Sequence, residues 1–156
     1  MPVLKFKGGV SSGDMVLQAL SGETVFARGA AVQNIRTRFT IAEVNAGATL
    51  LAAIPGFKYR MVDCSAIAYG GAVGATTTVD VSGTVSTARK LVAFGQAALT
   101  QSALVRAGSS GGVILADGAS YTVNDANTAI TVGKTGSDLT TATGVDVSFD
   151  YVIEAA

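Results

Sequence analysis

The chain has 156 residues, eleven Lys+Arg against eleven Asp+Glu, a formal net charge of zero and only 14% charged residues. That is enough chain for one hydrophobic core, without the basic surplus of a general nucleic-acid binder. There is no His and one Cys, Cys64, which excludes a Ser-His-Asp triad, a Cys-His pair, a His-ligated metal and an intrachain disulfide.

Just over half of the residues are Ala, Gly, Thr or Val, aromatics are 6%, and Trp is missing. The first residues, Met1 to Gly9, lack the long apolar run of a signal peptide, so none is expected. Residues 1–33 hold only short β-capable pieces, around Met15 to Leu20 and Thr24 to Ala27. They read as an N-terminal arm or small hairpin packed on the body or on a neighbouring chain, the alternative being ordinary first strands. Leu4, Lys5, Phe6 and Lys7 are its candidate contact residues.

The body, residues 34–156, opens on alternation. Ile35, Thr37, Phe39 and Ile41 face one way, and Arg36, Arg38, Thr40 and Ala42 the other, as in a half-buried strand with a basic outer face. Asn45 to Gly47 reads as a turn, and Thr49 to Ala53 as a short apolar run stopped by Pro55-Gly56. Phe57 to Tyr69 is the longest strand candidate, with Phe57, Tyr59 and Met61 opposite Lys58, Arg60 and Val62. Gly70, Gly71 and Gly74 mark a bend. Ala75 to Val81 reads as the returning strand of a long hairpin.

Val85 to Phe94 reads as a strand, the alternative being the start of a short helix through Gln96 to Leu99, and an irregular or one-turn helical connection, Ser102 to Arg106 and a Gly-Ser loop from Gly108 to Gly112 follow. Val113 to Ala116 and Ala119 to Val123 flank Asp117-Gly118, a hairpin signal. Asn124 to Asn127 is a turn, Ala129 to Val132 a strand and Lys134 to Asp138 a loop. In the last strand Val145, Val147, Phe149, Tyr151 and Ile153 alternate with Asp146, Ser148, Asp150, Val152 and Glu154. Short strands separated by turn signals, with no long helical periodicity, predict an all-β fold: an antiparallel β-sandwich of jelly-roll type with an N-terminal arm.

No uncharged stretch is long enough for a transmembrane helix. Mean hydropathy is nevertheless +0.45, which points to apolar surface hidden in a partner. Charge is unevenly placed. Ten basic and five acidic residues precede position 107, and one basic and six acidic follow. Basic early strands pairing with acidic late ones is the first reading, and a bipolar surface that docks on copies of itself the second.

The motifs have plain readings. Gly70 to Gly74 lacks the Lys-Ser/Thr ending and following helix of a phosphate loop, so it reads as a hairpin tip. Asp117, Asn124, Asp125 and Asn127 lack calcium-loop spacing and suit turns. Cys64 reads as core. Asp63, if buried, needs Arg60 or Arg38, and otherwise points at a loop or edge. No pair of acids is nominated for catalysis, and no cofactor or metal is expected. Arg36, Arg38, Lys58 and Arg60 read as a basic stripe on adjacent strands. Tyr59 falls on the opposite face, which disfavours nucleic acid and favours an acidic protein partner.

Four segments carry a resemblance: NAGATLLAAIPG (45–56), FKYRMVDC (57–64), LADGASY (115–121) and TGVDVSFDYVIE (143–154). Together, within residues 39–154, they resemble tailed-bacteriophage virion proteins, most of all capsid decoration (cement) and head-fibre proteins. The resemblance implies a β-sandwich that forms homotrimers and binds the major capsid protein on the outer surface of an assembled shell. It further implies no enzymatic activity; the residues themselves nominate no cofactor, and the balanced charge and short apolar stretches leave no nucleic-acid or membrane partner expected. Other phage structural proteins (tail-tube, tail-tip or fibre subunits) and a carbohydrate-binding sandwich module are the alternatives.

Overall fold

The computed structural model describes residues 16–17, 26–27, 32–85, 87–113 and 124–156. In chain order the elements are β1 (Val16–Leu17), β2 (Phe26–Ala27), β3 (Gln33–Thr40), α1 (Ile41–Ala46), β4 (Ala48–Leu51) and β5 (Phe57–Tyr69). Then come β6 (Thr76–Val85), β7 (Thr87–Gly95), β8 (Val105–Arg106), β9 (Gly112–Val113), β10 (Ile130–Gly136) and β11 (Gly144–Ala155). β1 and β2 pair with each other. The arm residues Leu4, Lys5, Phe6 and Lys7, and the Asp117-Gly118 turn, lie outside the described residues.

Two antiparallel sheets pack face to face around one core. Sheet I has the order β4-β10-β6-β7-β9 and sheet II the order β3-β11-β5-β8. The pairings are nested. β6 pairs with β7, β5 with β8, β4 with β10 and β3 with β11. The chain therefore runs out and back as one antiparallel ribbon, and successive rungs of that ribbon fall alternately in sheet I and sheet II. Winding it this way leaves one face of every rung against a shared interior, which is how a chain of short amphipathic strands hides its apolar side.

The interior is the predicted one for β11: Val145, Val147, Phe149, Tyr151 and Ile153 are all buried. Across from them stand Val79, Val81, Val92, Phe94, Ile130 and Val132 of sheet I, each fully buried. Cys64 is buried in the same cluster. β5 spans the predicted residues, but its phase changes. Tyr59 and Met61 face inward, and so do Cys64, Ala66 and Ala68. The ladder with β11 shifts register there, with Met61 opposite Tyr151 and Asp63 opposite Asp150. Val62 is the extra residue of a β-bulge, exposed on the outside. Without it, one of the two inward sets would point to solvent.

Local chemistry overrides the simple alternation in three places. The first strand stops at Thr40 because Thr40 caps a short helix where alternation through Ala42 and a turn at Asn45–Gly47 were expected. The Thr40 hydroxyl accepts from the Glu43 backbone N–H, and the Glu43 carboxylate accepts from the Thr40 backbone N–H at 2.8 Å. This is a capping box, and Gly47 closes the helix in the left-handed conformation. Second, β5 and β6 are not a hairpin. They lie in different sheets, and the glycines between them form a corner packed on residues 140–143, with Val73 fully buried. Third, β10 continues to Gly136 through residues expected to be loop, because Thr131 to Gly136 pair with β6.

Helix α1 is tied to the approach to β11. The Asn45 side chain accepts from the Leu139 N–H at 2.8 Å and donates to its carbonyl at 3.2 Å. At the head of β11, Gly144 lies between the Phe39 carbonyl and the Tyr69 ring, and a Cβ there would overlap both. Thr40→Ala is expected to lower stability by about 1 kcal/mol through loss of the cap. Gly144→Ala should cost about 1–3 kcal/mol by overpacking. Urea unfolding midpoints of the two variants check this order.

Candidate functional site

The candidate basic residues all fall on the outer face of sheet II, but not as a stripe on adjacent strands. β11 lies between β3, which carries Arg36 and Arg38, and β5, which carries Lys58 and Arg60. Three of the six acids of the last fifty residues, Asp146, Asp150 and Glu154, hold outward positions of β11. Asp146 stands opposite Arg38 on one side and Ile67 on the other, and Glu154 opposite Lys58. The basic and acidic parts of the sequence thus meet within one sheet, the first of the two expected arrangements.

The contacts are specific. Asp146 Oδ1 accepts from Arg38 Nε at 2.6 Å, and its Oδ2 accepts from Nη2 of Arg38 at 2.9 Å and of Arg36 at 3.1 Å. The Arg38 guanidinium lies over the Tyr69 ring at 4.2 Å, a cation–π contact. Glu154 takes Arg60 in the same forked way, with Nε at 2.6 Å and Nη2 at 3.1 Å. The Asn34 amide donates to Ser148 Oγ at 2.9 Å and to Asp150 Oδ1 at 2.5 Å. Asp63 pairs with neither arginine proposed for it. It lies at the bulge, half-buried, and meets Arg106 of β8 at 3.2 Å.

These contacts set the charge states. Hydrogen bonding to Arg38, then to Arg36, holds the Asp146 carboxyl below the usual Asp value against the opposing effect of burial. Arg60 does the same for Glu154, with a smaller contribution from Lys58. Arg38 is raised in turn by its bonds to Asp146. The side chains of Arg36, Arg38 and Arg106 are 68%, 62% and 66% exposed, whereas those of Asp146 and Asp63 are 9% and 35% exposed. The acids therefore form a floor and the guanidiniums stand above it.

Alternation located Arg36, Arg38, Lys58 and Arg60 on this face and missed Arg106, Tyr69 and Leu104. The segment Ser102 to Arg106 stands out in the sequence, but β8 has only two residues, too few to show a period, so nothing there put Arg106 and Leu104 on this face. The Asp146 clasp was also out of reach, because alternation gives the face of a residue and not its neighbour across the sheet.

Elsewhere the polar groups serve the fold. On the outer face of sheet I, Asp80 is buried. Its Oδ2 meets Lys90 Nζ at 3.0 Å and accepts from Thr135 Oγ1 at 2.8 Å. Asn124 and Asn127 act in their turn: the Asn124 amide donates to the Thr128 and Ala129 carbonyls, and Asn127 Oδ1 accepts from the Gly56 N–H. Among the described residues no group of three or more Cys, Asp or Glu is placed to hold a metal ion. Burial, reinforced by Asp63 and Asp150, pushes the Cys64 thiol up, away from the reactive thiolate. Burial also pushes Tyr59 up to about 12. Among the described residues no helix is long and apolar enough to cross a membrane. No family model, curated protein or solved structure matches the chain.

The lowered carboxyls fix the sign of the pH dependence. A group whose folded pKa lies below its unfolded value stabilises fully above the unfolded value and loses that contribution as pH falls through the folded one. The Asp146 and Glu154 pairings should therefore hold stability level above about pH 5 and release it progressively below about pH 4. Asp146→Asn should flatten that acid limb and lower the neutral-pH stability by about 1–2 kcal/mol. Urea midpoints measured from neutral to acid pH test both expectations.

Proposed function

We propose that the protein is a structural virion component that docks on the outer surface of an assembled phage capsid and stabilises it by bridging capsomers. The observation that carries the reading is the outer face of sheet II, where charged side chains are held in place by ion pairs across strands. Such a surface meets a partner with little side-chain ordering left to do. The sequence resemblance within residues 39–154 points the same way, and the nested strand order is the winding expected of a jelly roll.

Mechanically, each contact need only be modest. Many copies on a repeating lattice, or a trimer that engages several sites together, convert weak contacts into firm attachment. Binding to the closed shell alone lowers its free energy relative to the opened one, so the shell resists internal pressure. A glycan-binding module is less well supported. Tyr59 and Tyr151 are buried and stacked edge-on, and Tyr69 lies beneath Arg38, which withdraws three of the tyrosines that would form an aromatic platform.

Two measurements test the proposal. Light scattering is expected to give three times the 15.6 kDa chain mass. Purified capsids are expected to retain the protein on sedimentation, with retention reduced by deletion of residues 2–9. A monomer that no capsid retains ends the capsid reading. Unchanged retention of the deletion variant removes the arm from the mechanism.

A further inference from the structure

Resting on the docking reading above, we infer that the part of sheet II outlined by Arg36, Arg38, Leu104 and Arg106 is the docking surface, and that its partner is an acidic protein segment. The argument begins with register. Two consecutive outward rows cross the sheet. One runs Arg38, Asp146, Ile67, with Leu104 beside it just ahead of β8, and the other runs Arg36, Ser148, Ser65, Arg106. Strand spacing puts the two edges about 14 Å apart. The centre of the second row is therefore low, floored by two serines, and an arginine stands at each edge.

The sign of the surface follows from depth. Counted as charges, the patch is nearly balanced. Counted by what a partner touches, it is cationic, because the three guanidiniums are about two-thirds exposed while Asp146 lies beneath them. A guanidinium has five N–H donors. Asp146 takes two donor groups of Arg38 and one of Arg36, and Asp63 takes one of Arg106. Donors remain for carboxylates arriving from outside, and the internal pairs hold the arginines in place.

Next to this charge lies an apolar anchor. Leu104 is 56% exposed, one of three large hydrophobic side chains so exposed among the described residues. Val105 pairs with Ala66, so continuing that register by one position sets Leu104 alongside half-buried Ile67. Arginine is enriched at protein interfaces, and Leu104 adds apolar area beside it that a partner can cover. Nucleic acid fits less well. Base stacking needs a free aromatic face, and the Tyr69 ring on this surface is already covered by Arg38.

The test uses the full chain and two probes, an oligo-glutamate peptide of about 20 residues and a thymidine oligonucleotide of similar length. Amide chemical shifts are recorded as each is added. The peptide is expected to move the amides of Arg36, Arg38, Ser65, Ile67 and Arg106, with an affinity that falls as salt rises. Leu104→Asp and Arg106→Ala, both at exposed positions, are each expected to weaken peptide binding about 3–10-fold while leaving the remaining spectrum folded. Shifts confined to another face, no shifts, or tighter binding of the oligonucleotide would overturn the inference. Capsid retention is scored separately. Retention undiminished by Leu104→Asp and Arg106→Ala would remove this patch and leave docking standing, whereas no retention of the unaltered protein removes the docking reading itself.

Discussion

β11 is the strand on which both faces of sheet II depend. It pairs along most of its length with β3 on one side and β5 on the other, so it is a central strand although it comes last in the chain. Its two faces have separate tasks. Inward, five consecutive alternate residues are apolar and buried, each contributing on the order of 1.5–3 kcal/mol by leaving water. Outward, Asp146 and Glu154 reach the arginines of the flanking strands. A one-residue slip against β3 would place the acids in the core and the valines in water, so core and surface fix the register together. On the β5 side the bulge at Val62 absorbs the mismatch between two strands that both need an unbroken inward row.

Much of this was legible in the residues. The faces of β11 and the span of β5 follow from alternation alone, because a half-buried strand has a period of two. The class of fold follows from many such strands with no helical period. Three things were hidden for physical reasons. The helix after Thr40 is too short for periodicity, and only the Thr40–Glu43 spacing of a capping box announces it. The bulge adds one residue, and no local composition marks Val62 as the one added. Strand neighbours are nonlocal. Phe57–Tyr69 and Thr76–Val85 look like two arms of a hairpin because only a short glycine-rich link separates them. That link instead turns a corner between sheets, where Val73 and the threonines at 140, 141 and 143 pack.

The charge pattern shows what a net value conceals. Zero overall charge predicts no electrostatic preference at long range. Close to the surface, depth matters more than number. Asp146 is short and set between strands, whereas Arg36 and Arg38 are long and rise from the edge strand above it, so the acid is shielded and the cations are not. Their pairing contributes a modest amount to stability, about 1–2 kcal/mol. Its larger effect is geometric, because it removes conformations from side chains that would otherwise have many.

That geometric effect bears on how a weakly charged protein can be selective. A mobile arginine pays rotamer entropy when it docks, whereas one already held by a fork and, for Arg38, stacked on Tyr69 has lost most of that freedom in advance. Arg36 and Arg38 also stand on β3, the edge strand of sheet II among the described residues, where outward charges discourage another strand from adding to the ladder. The same two side chains thus oppose uncontrolled strand-to-strand association at the edge while leaving the face open to a complementary surface. Discrimination between those two modes of contact is what a protein with high mean hydropathy and few charges needs if it is to bind an array without binding itself indiscriminately.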